Sequence, residues 1–189
     1  MPAEDPGGKL MEMIASAGDP GNWDAGPMEA VSLLTGGQKL ENLLNHLEDL
    51  KGTPFEGAYS YLSEKFPHVF GNVRRITSDQ GRMQFTNAGQ FMNNPAHPAA
   101  RVARKGLPVG DIHLNPDAAG KWFGSDPVEA LAHEGTHAAQ SLGSGPQRFE
   151  ALYDLETIDA GGYLPNKYEV SARKIGKKHK KLARKQPKK

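Results

Sequence analysis

Residues 126–142, DPVEALAHEGTHAAQSL, hold the densest chemical pattern in the chain, with His133, Glu134 and His137 standing as H-E-x-x-H. Residues four apart on an α-helix differ by about 40° around the axis, so both imidazoles can grip one ion while Glu134 lies alongside. This is a zinc-hydrolase geometry. The flanks predict the helix independently of the motif. Asp126 is an N-cap residue, Pro127 falls at the first helical position, Glu129 stands where a capping-box acid reaches back, and Gly143 supplies a stop. Small alanines dominate the apolar positions, which predicts close packing against neighbouring elements. Gly135 costs about 1 kcal/mol against alanine in a helix interior, and it reads as a point where something approaches the backbone closely.

Upstream, Gly110–Pro116 reads as a short strand with Ile112 and Leu114 on one face and Asp111 and His113 on the other. His113 is expected to face solvent, with a role in a substrate cleft as the intermediate possibility. Further back, Asn72–Thr77 and Arg82–Thr86 flank the turn-forming Ser78-Asp79-Gln80-Gly81 and predict a β-hairpin. Asn87–Pro98 reads as polar and irregular. Pro54–Phe66 reads as a helix with Phe55, Ala58, Tyr59, Leu62 and Phe66 on one side, ended by Pro67. Gln38–Leu50 reads as another, whose Leu40, Leu43, Leu44, Leu47 and Leu50 are expected to pack in the core. Residues 1–27, crowded with Gly, Pro and Asp, are expected to form a mostly flexible lead-in. The expected organisation is therefore a single α+β domain over 28–175, followed by a basic tail over 176–189.

Composition narrows the chemistry. The 189 residues contain no cysteine, which removes disulfides, thiolate metal sites and cysteine nucleophiles together. Hydrophobic residues make up 37% of the chain against 22 Gly and 14 Pro, so much loop is expected. The net charge of +1 conceals an asymmetry. Residues 173–189 carry ten Lys or Arg and no acid, leaving 13 basic and 22 acidic side chains before them, a net of −9. Such a tail suits an anionic partner, a nucleic acid or an acidic surface. No apolar run reaches membrane-spanning length, and MPAEDPGGKL lacks the features of a signal peptide. The expected location is cytoplasmic, or released or virion-associated without a classical signal.

Two imidazoles need a third protein ligand, and without cysteine it must be His, Asp or Glu. Downstream of the motif, Glu150, Asp154, Glu156, Asp159, Glu169 and His179 are all candidates. At this point the chain resembles a family. LAHEGTHAAQSL at 131–142, the helix bearing Phe149, Tyr153 and Leu155, and GGYLPNKYEVSAR at 161–173 are similar to the core of small gluzincin-type zinc metallopeptidases. In these a glutamate from a later helix, within an E-x-x-A pattern, joins the two histidines. Tyr168-Glu169-Val170-Ser171-Ala172 matches it, with Ala172 letting the helices approach, while Glu156 in an E-x-x-D is the rival.

The resemblance implies a zincin-like fold, with a small mixed or antiparallel sheet packed on the active-site helix and further helices on both sides. It implies Zn2+ held by His133, His137 and Glu169, and peptide-bond hydrolysis with Glu134 as general acid and base. The Asp111–Asn115 strand, through Ile112, His113 and Leu114, is then expected to form the cleft edge along an extended peptide. Tyr153, Tyr163 and Tyr168 are the oxyanion candidates. The rival from another class is a structural or nucleic-acid-associated protein, such as a virion component, that keeps the fold with little proteolysis.

Overall fold

The computed structural model describes residues 36–78, 89–93, 110–116 and 126–186. Over these the chain runs α1 (Gly36–Asp49), α2 (Glu56–Lys65), α3 (Pro67–Phe70), β1 (Arg75–Ser78), β2 (Gly89–Asn93), β3 (Gly110–Leu114), α4 (Pro127–Ser144), α5 (Pro146–Asp159) and α6 (Lys167–Ala183). The architecture is α+β, with a small mixed sheet beside the helices. The expected lead-in and the Arg82–Thr86 strand lie outside the described residues.

Everything packs around α4. Asp126 caps it as expected, its Oδ1 accepting from the Val128 amide at 3.0 Å. The stop comes two residues later than predicted, because Gly145, at φ +84° and ψ +143°, leaves the helix while Gly143 stays helical. Glu129 does not reach back to the cap; its carboxylate binds Lys180 Nζ of α6 at 2.6 Å. Gly135 meets its expected neighbour, since a Cβ there would stand 3.0 Å from Cζ of Phe70 on α3.

The contact between α4 and α6 is closer still. A Cβ on Gly176 would lie 2.7 Å from the Glu129 carbonyl oxygen, and Ala172 is wholly buried one turn earlier. Asn166 caps α6 by accepting from the Tyr168 amide at 2.8 Å, and its amide nitrogen donates to the Tyr153 carbonyl and Thr157 Oγ1 of α5. One side chain thus starts α6 and fastens it to α5. The helix continues through Ala183, so the basic stretch from residue 176 begins as part of α6. Ile175 and His179 face inward, while Lys174, Lys177, Lys178 and Lys181 share the exposed face.

The described sheet contains the first strand of the expected hairpin, while its partner Arg82–Thr86 lies outside the described residues. The sheet order is β1-β3-β2, with β1 parallel to β3 and β2 antiparallel to it. β2 falls within the stretch expected to be irregular. Its sequence, Gly-Gln-Phe-Met-Asn, offers one aromatic and little periodicity; pairing with β3 and packing on α4 make it a strand. β3 is the central strand, paired on both edges, with Ile112 and Leu114 fully buried. His113 is buried too, its Nδ1 2.9 Å from Thr77 Oγ1, rather than solvent-facing.

The α2 face of Phe55, Ala58, Tyr59, Leu62 and Phe66 is buried as predicted. On α1 the expected leucine stripe is only half used. Leu50 is buried and Leu43 packs on the core, but Leu40 and Leu44 are 58% and 57% exposed. Polar anchors set the rotation of this helix. Asn42 Nδ2 donates to the Gly71 carbonyl at 2.9 Å, and Tyr59 Oη donates to the Leu43 carbonyl at 3.1 Å while lying 3.3 Å from His46 Nδ1. These bonds turn His46 inward in place of a leucine. Among the described residues no helix is long and apolar enough to cross a membrane.

Burial pushes the His46 imidazole down to about 4, opposed only in part by the Arg74 backbone and the carboxylates of Asp49 and Asp111. Its folded value lies below the ordinary 6.5, so between those values the unfolded chain binds more protons and stability falls as pH falls. Between pH 7.5 and 4.5 the wild type is expected to lose roughly 2–3 kcal/mol more than His46→Gln, as read by urea unfolding of both at each pH.

Candidate metal centre and its cleft

The first turns of α6 carry Glu169 against the middle of α4. There Glu169 Oε1 lies 3.0 Å from His137 Nε2, Glu169 Oε2 lies 3.2 Å from His133 Nε2, and the two Nε2 atoms are 3.2 Å apart. One ligand atom from each of the three residues falls within 4.8 Å of the others. Ligand atoms about 2.0–2.1 Å from a tetrahedral ion stand about 3.3 Å from one another, and the contacts of 3.0–3.2 Å between the two imidazoles and the two carboxylate oxygens are on that scale.

The surrounding bonds favour the same use. Gln140 Oε1 lies 2.9 Å from His137 Nδ1, and the Gln140 amide nitrogen faces the Tyr168 carbonyl at 3.5 Å. That orientation makes Nδ1 the protonated nitrogen and leaves a lone pair on Nε2, directed at the site. Glu169 is 2% exposed, and its buried Oε2 has no hydrogen bond. Tyr153 Oη donates to Oε1 at 2.7 Å, and Arg173 NH1 stands 3.5 Å from Oε2. A buried carboxylate oxygen and two imidazole lone pairs facing one point fit a divalent cation. The His133, His137 and Glu169 group can therefore hold a metal ion.

Electrostatics agree with the geometry. Burial would raise the Glu169 carboxyl, but His133, His137 and Tyr153 together hold it well below the usual carboxylate range. Burial likewise depresses the His133 imidazole, yet contact with Glu169 and the field of Glu134 reverse the sign and raise it. Positive charge is favoured at this point.

Glu134 is set apart from the triangle. It is 7% exposed and lies beneath β2, where a Cβ on Gly89 would come within 2.7 Å of its Cγ. Burial raises its carboxyl above the ordinary range against the opposing pull of His133, His137 and the Phe91 amide. It lines a cleft of about 380 Å³ together with the three candidate ligands, β2 and one face of α5. β2 forms the cleft wall because its outer edge is unpaired among the described residues.

Several expected roles move. Ile112, His113 and Leu114 are not among the described residues that line this cleft; β2, which pairs with that edge of β3, lines it instead. Glu156 faces Lys167, binding both its amide and its ammonium group, and stands outside the ligand group. His179 is buried between Phe66 and Tyr61, with ring centroids 5.0 and 6.3 Å away. Of the tyrosines, Tyr168 is buried against Phe149 and Tyr153, and its hydroxyl does not reach the cleft. Tyr153 spends its proton on Glu169, while Tyr163 lines the cleft and is half exposed. Gly89, Phe91, Gln140 and Arg173 were not singled out in the sequence. Only the spacing of Gln140, three residues after His137, and of Arg173, four after Glu169, signalled them.

Comparison of the chain with protein-family models, curated proteins and solved structures returns no match.

Chelator-competition titration with Zn2+ or Co2+ is expected to give one tight site. Glu169→Ala should weaken it at least about 100-fold, Gln140→Ala about 10- to 100-fold, and Glu156→Ala not at all.

Proposed function

We propose that this chain is a zinc-dependent metallopeptidase of gluzincin type. One observation carries the reading: a buried carboxylate, Glu134, stands beside a His133–His137–Glu169 triangle without belonging to it, in a cleft bordered by a strand edge that is unpaired among the described residues. A purely structural metal site has no use for that fourth group. Zn2+, when bound, supplies a Lewis acid that brings the pKa of its water to about 7 and polarises a carbonyl.

The protein does the rest. His133, His137 and Glu169 would hold the ion, with Gln140 and Tyr153 orienting His137 and Glu169. Glu134, its carboxyl raised by burial, is suited to accept the proton of the attacking water and return it to the leaving amine. The outer edge of β2 offers amide and carbonyl groups along which an extended peptide can pair. Tyr163 lines the cleft beside Glu169, whose carboxylate its hydroxyl also faces, and is the more exposed tyrosine available to support the developing oxyanion.

Glu134→Gln tests this reading, since it keeps the shape and removes the base. It is expected to retain the metal and to lose peptide cleavage by about 100-fold or more. Cleavage of a peptide library at the wild-type rate by this variant would refute the mechanism.

A second reading rests on a separate observation, the lysine face of α6 formed by Lys174, Lys177, Lys178 and Lys181. Four like charges on one side of an ordered helix match a phosphate backbone, with affinity that falls with salt. Replacing all four by Gln should reduce the slope of log affinity for duplex DNA against log salt by about 3–4, read by anisotropy at several salt concentrations.

A further inference from the structure

The α5 wall of the cleft carries two carboxylates that the proposed chemistry does not use. Glu150 and Asp154 stand four residues apart on one face of the helix, about 6 Å along its axis, and both line the cleft. Both are exposed, and neither forms an ion pair among the described residues. The neighbouring acid Glu156, by contrast, is neutralised by Lys167.

The charge of the whole cavity sharpens the point. Among the described residues its lining includes Glu134, Glu150, Asp154 and Glu169, and no lysine or arginine. A divalent ion between the histidines would offset Glu134 and Glu169 and leave the α5 pair uncompensated. The same cavity is lined by His133, His137 and the buried Glu169, so the α5 pair stands in the cleft that the candidate metal centre occupies. On the opposite wall, Gln90 and Met92 of β2 are exposed and uncharged, so among the described residues the exposed carboxylates of the cleft stand on the α5 side.

We infer that the cleft selects peptides bearing lysine or arginine side chains, which the Glu150–Asp154 wall receives while the backbone runs along β2. The inference rests on the peptidase reading for its consequence in catalysis, but the selection itself is a matter of binding. Two carboxylates bordering a low-dielectric cleft attract a cation and repel an acid, so discrimination against acidic peptides is part of the effect.

The test uses the full chain, zinc-loaded and carrying Glu134→Gln so that peptides stay intact. Three labelled decapeptides identical except for a central Lys-Lys, Ala-Ala or Glu-Glu pair are titrated by fluorescence anisotropy at low and high salt. The lysine peptide is expected to bind at least about 10-fold tighter than the glutamate peptide, with the gap narrowing at high salt. Adding Glu150→Gln and Asp154→Asn should abolish the preference, and Glu150→Lys with Asp154→Lys should invert it. Metal titration and circular dichroism check that these exposed substitutions leave the fold intact.

Equal affinity for the lysine and glutamate peptides, no measurable binding of the lysine peptide, or a preference that survives the neutral double variant overturns the inference. Cleavage by the zinc-loaded wild type separates the two ideas. Lysine-selective binding without hydrolysis sinks the peptidase reading and leaves the cation-accepting wall standing. Hydrolysis with no charge preference does the reverse.

Discussion

The close approach of α4 and α6 is the constraint on which the rest of the site depends. Gly176 lies against the Glu129 carbonyl and Ala172 is sealed between the helices, so the two axes come nearer than larger side chains would allow. That proximity lets the short Glu169 side chain reach both histidines. Lys180 on Glu129 and Arg184 on Asp126 bind the far end of α6 to the start of α4, which resists sliding of one helix along the other. A sliding of one residue would carry Glu169 about 1.5 Å along the axis and rotate it away from the imidazoles.

Burying a carboxylate so deeply is costly unless its charge is answered. Around Glu169 the answer comes from three directions: two imidazoles on α4, the Tyr153 hydroxyl on α5 and Arg173 one turn on along α6. The aromatic layer of Phe149, Tyr153 and Tyr168 keeps water from the far side and holds the Tyr153 hydroxyl in place. Glu134 sits a short distance away under different conditions. Burial dominates there and lifts its carboxyl, whereas contact with cationic and hydrogen-bonding groups lowers that of Glu169. Two acids within one cleft are thus prepared for different work by their surroundings.

Much of this was legible in linear order. The H-E-x-x-H spacing and Asp126 identified α4, because helix capping and four-residue spacing are local properties. The inward face of α2 was likewise readable from its period. The leucines of α1 misled for a related reason. A helical period says which residues share a face, not how wide a strip the neighbour covers, and hydrogen bonds from Asn42 and Tyr59 chose the rotation. The strand pairing was less legible still. β2 has little intrinsic strand character, and the parallel partnership of β1 with β3 joins residues some 36 positions apart.

The sequence by itself determined the main helical runs, the Asp126 cap and the types of ligand available, since these rest on interactions within a few residues. It named Glu169 and Glu156 as rival carboxylates but had no means of choosing by distance. Tertiary structure brought Glu169 to the histidines and gave Glu156 to Lys167, because small residues at one helix crossing set which acid came near. It also moved the cleft edge from β3 to β2, since an edge is defined only once every strand has its partners.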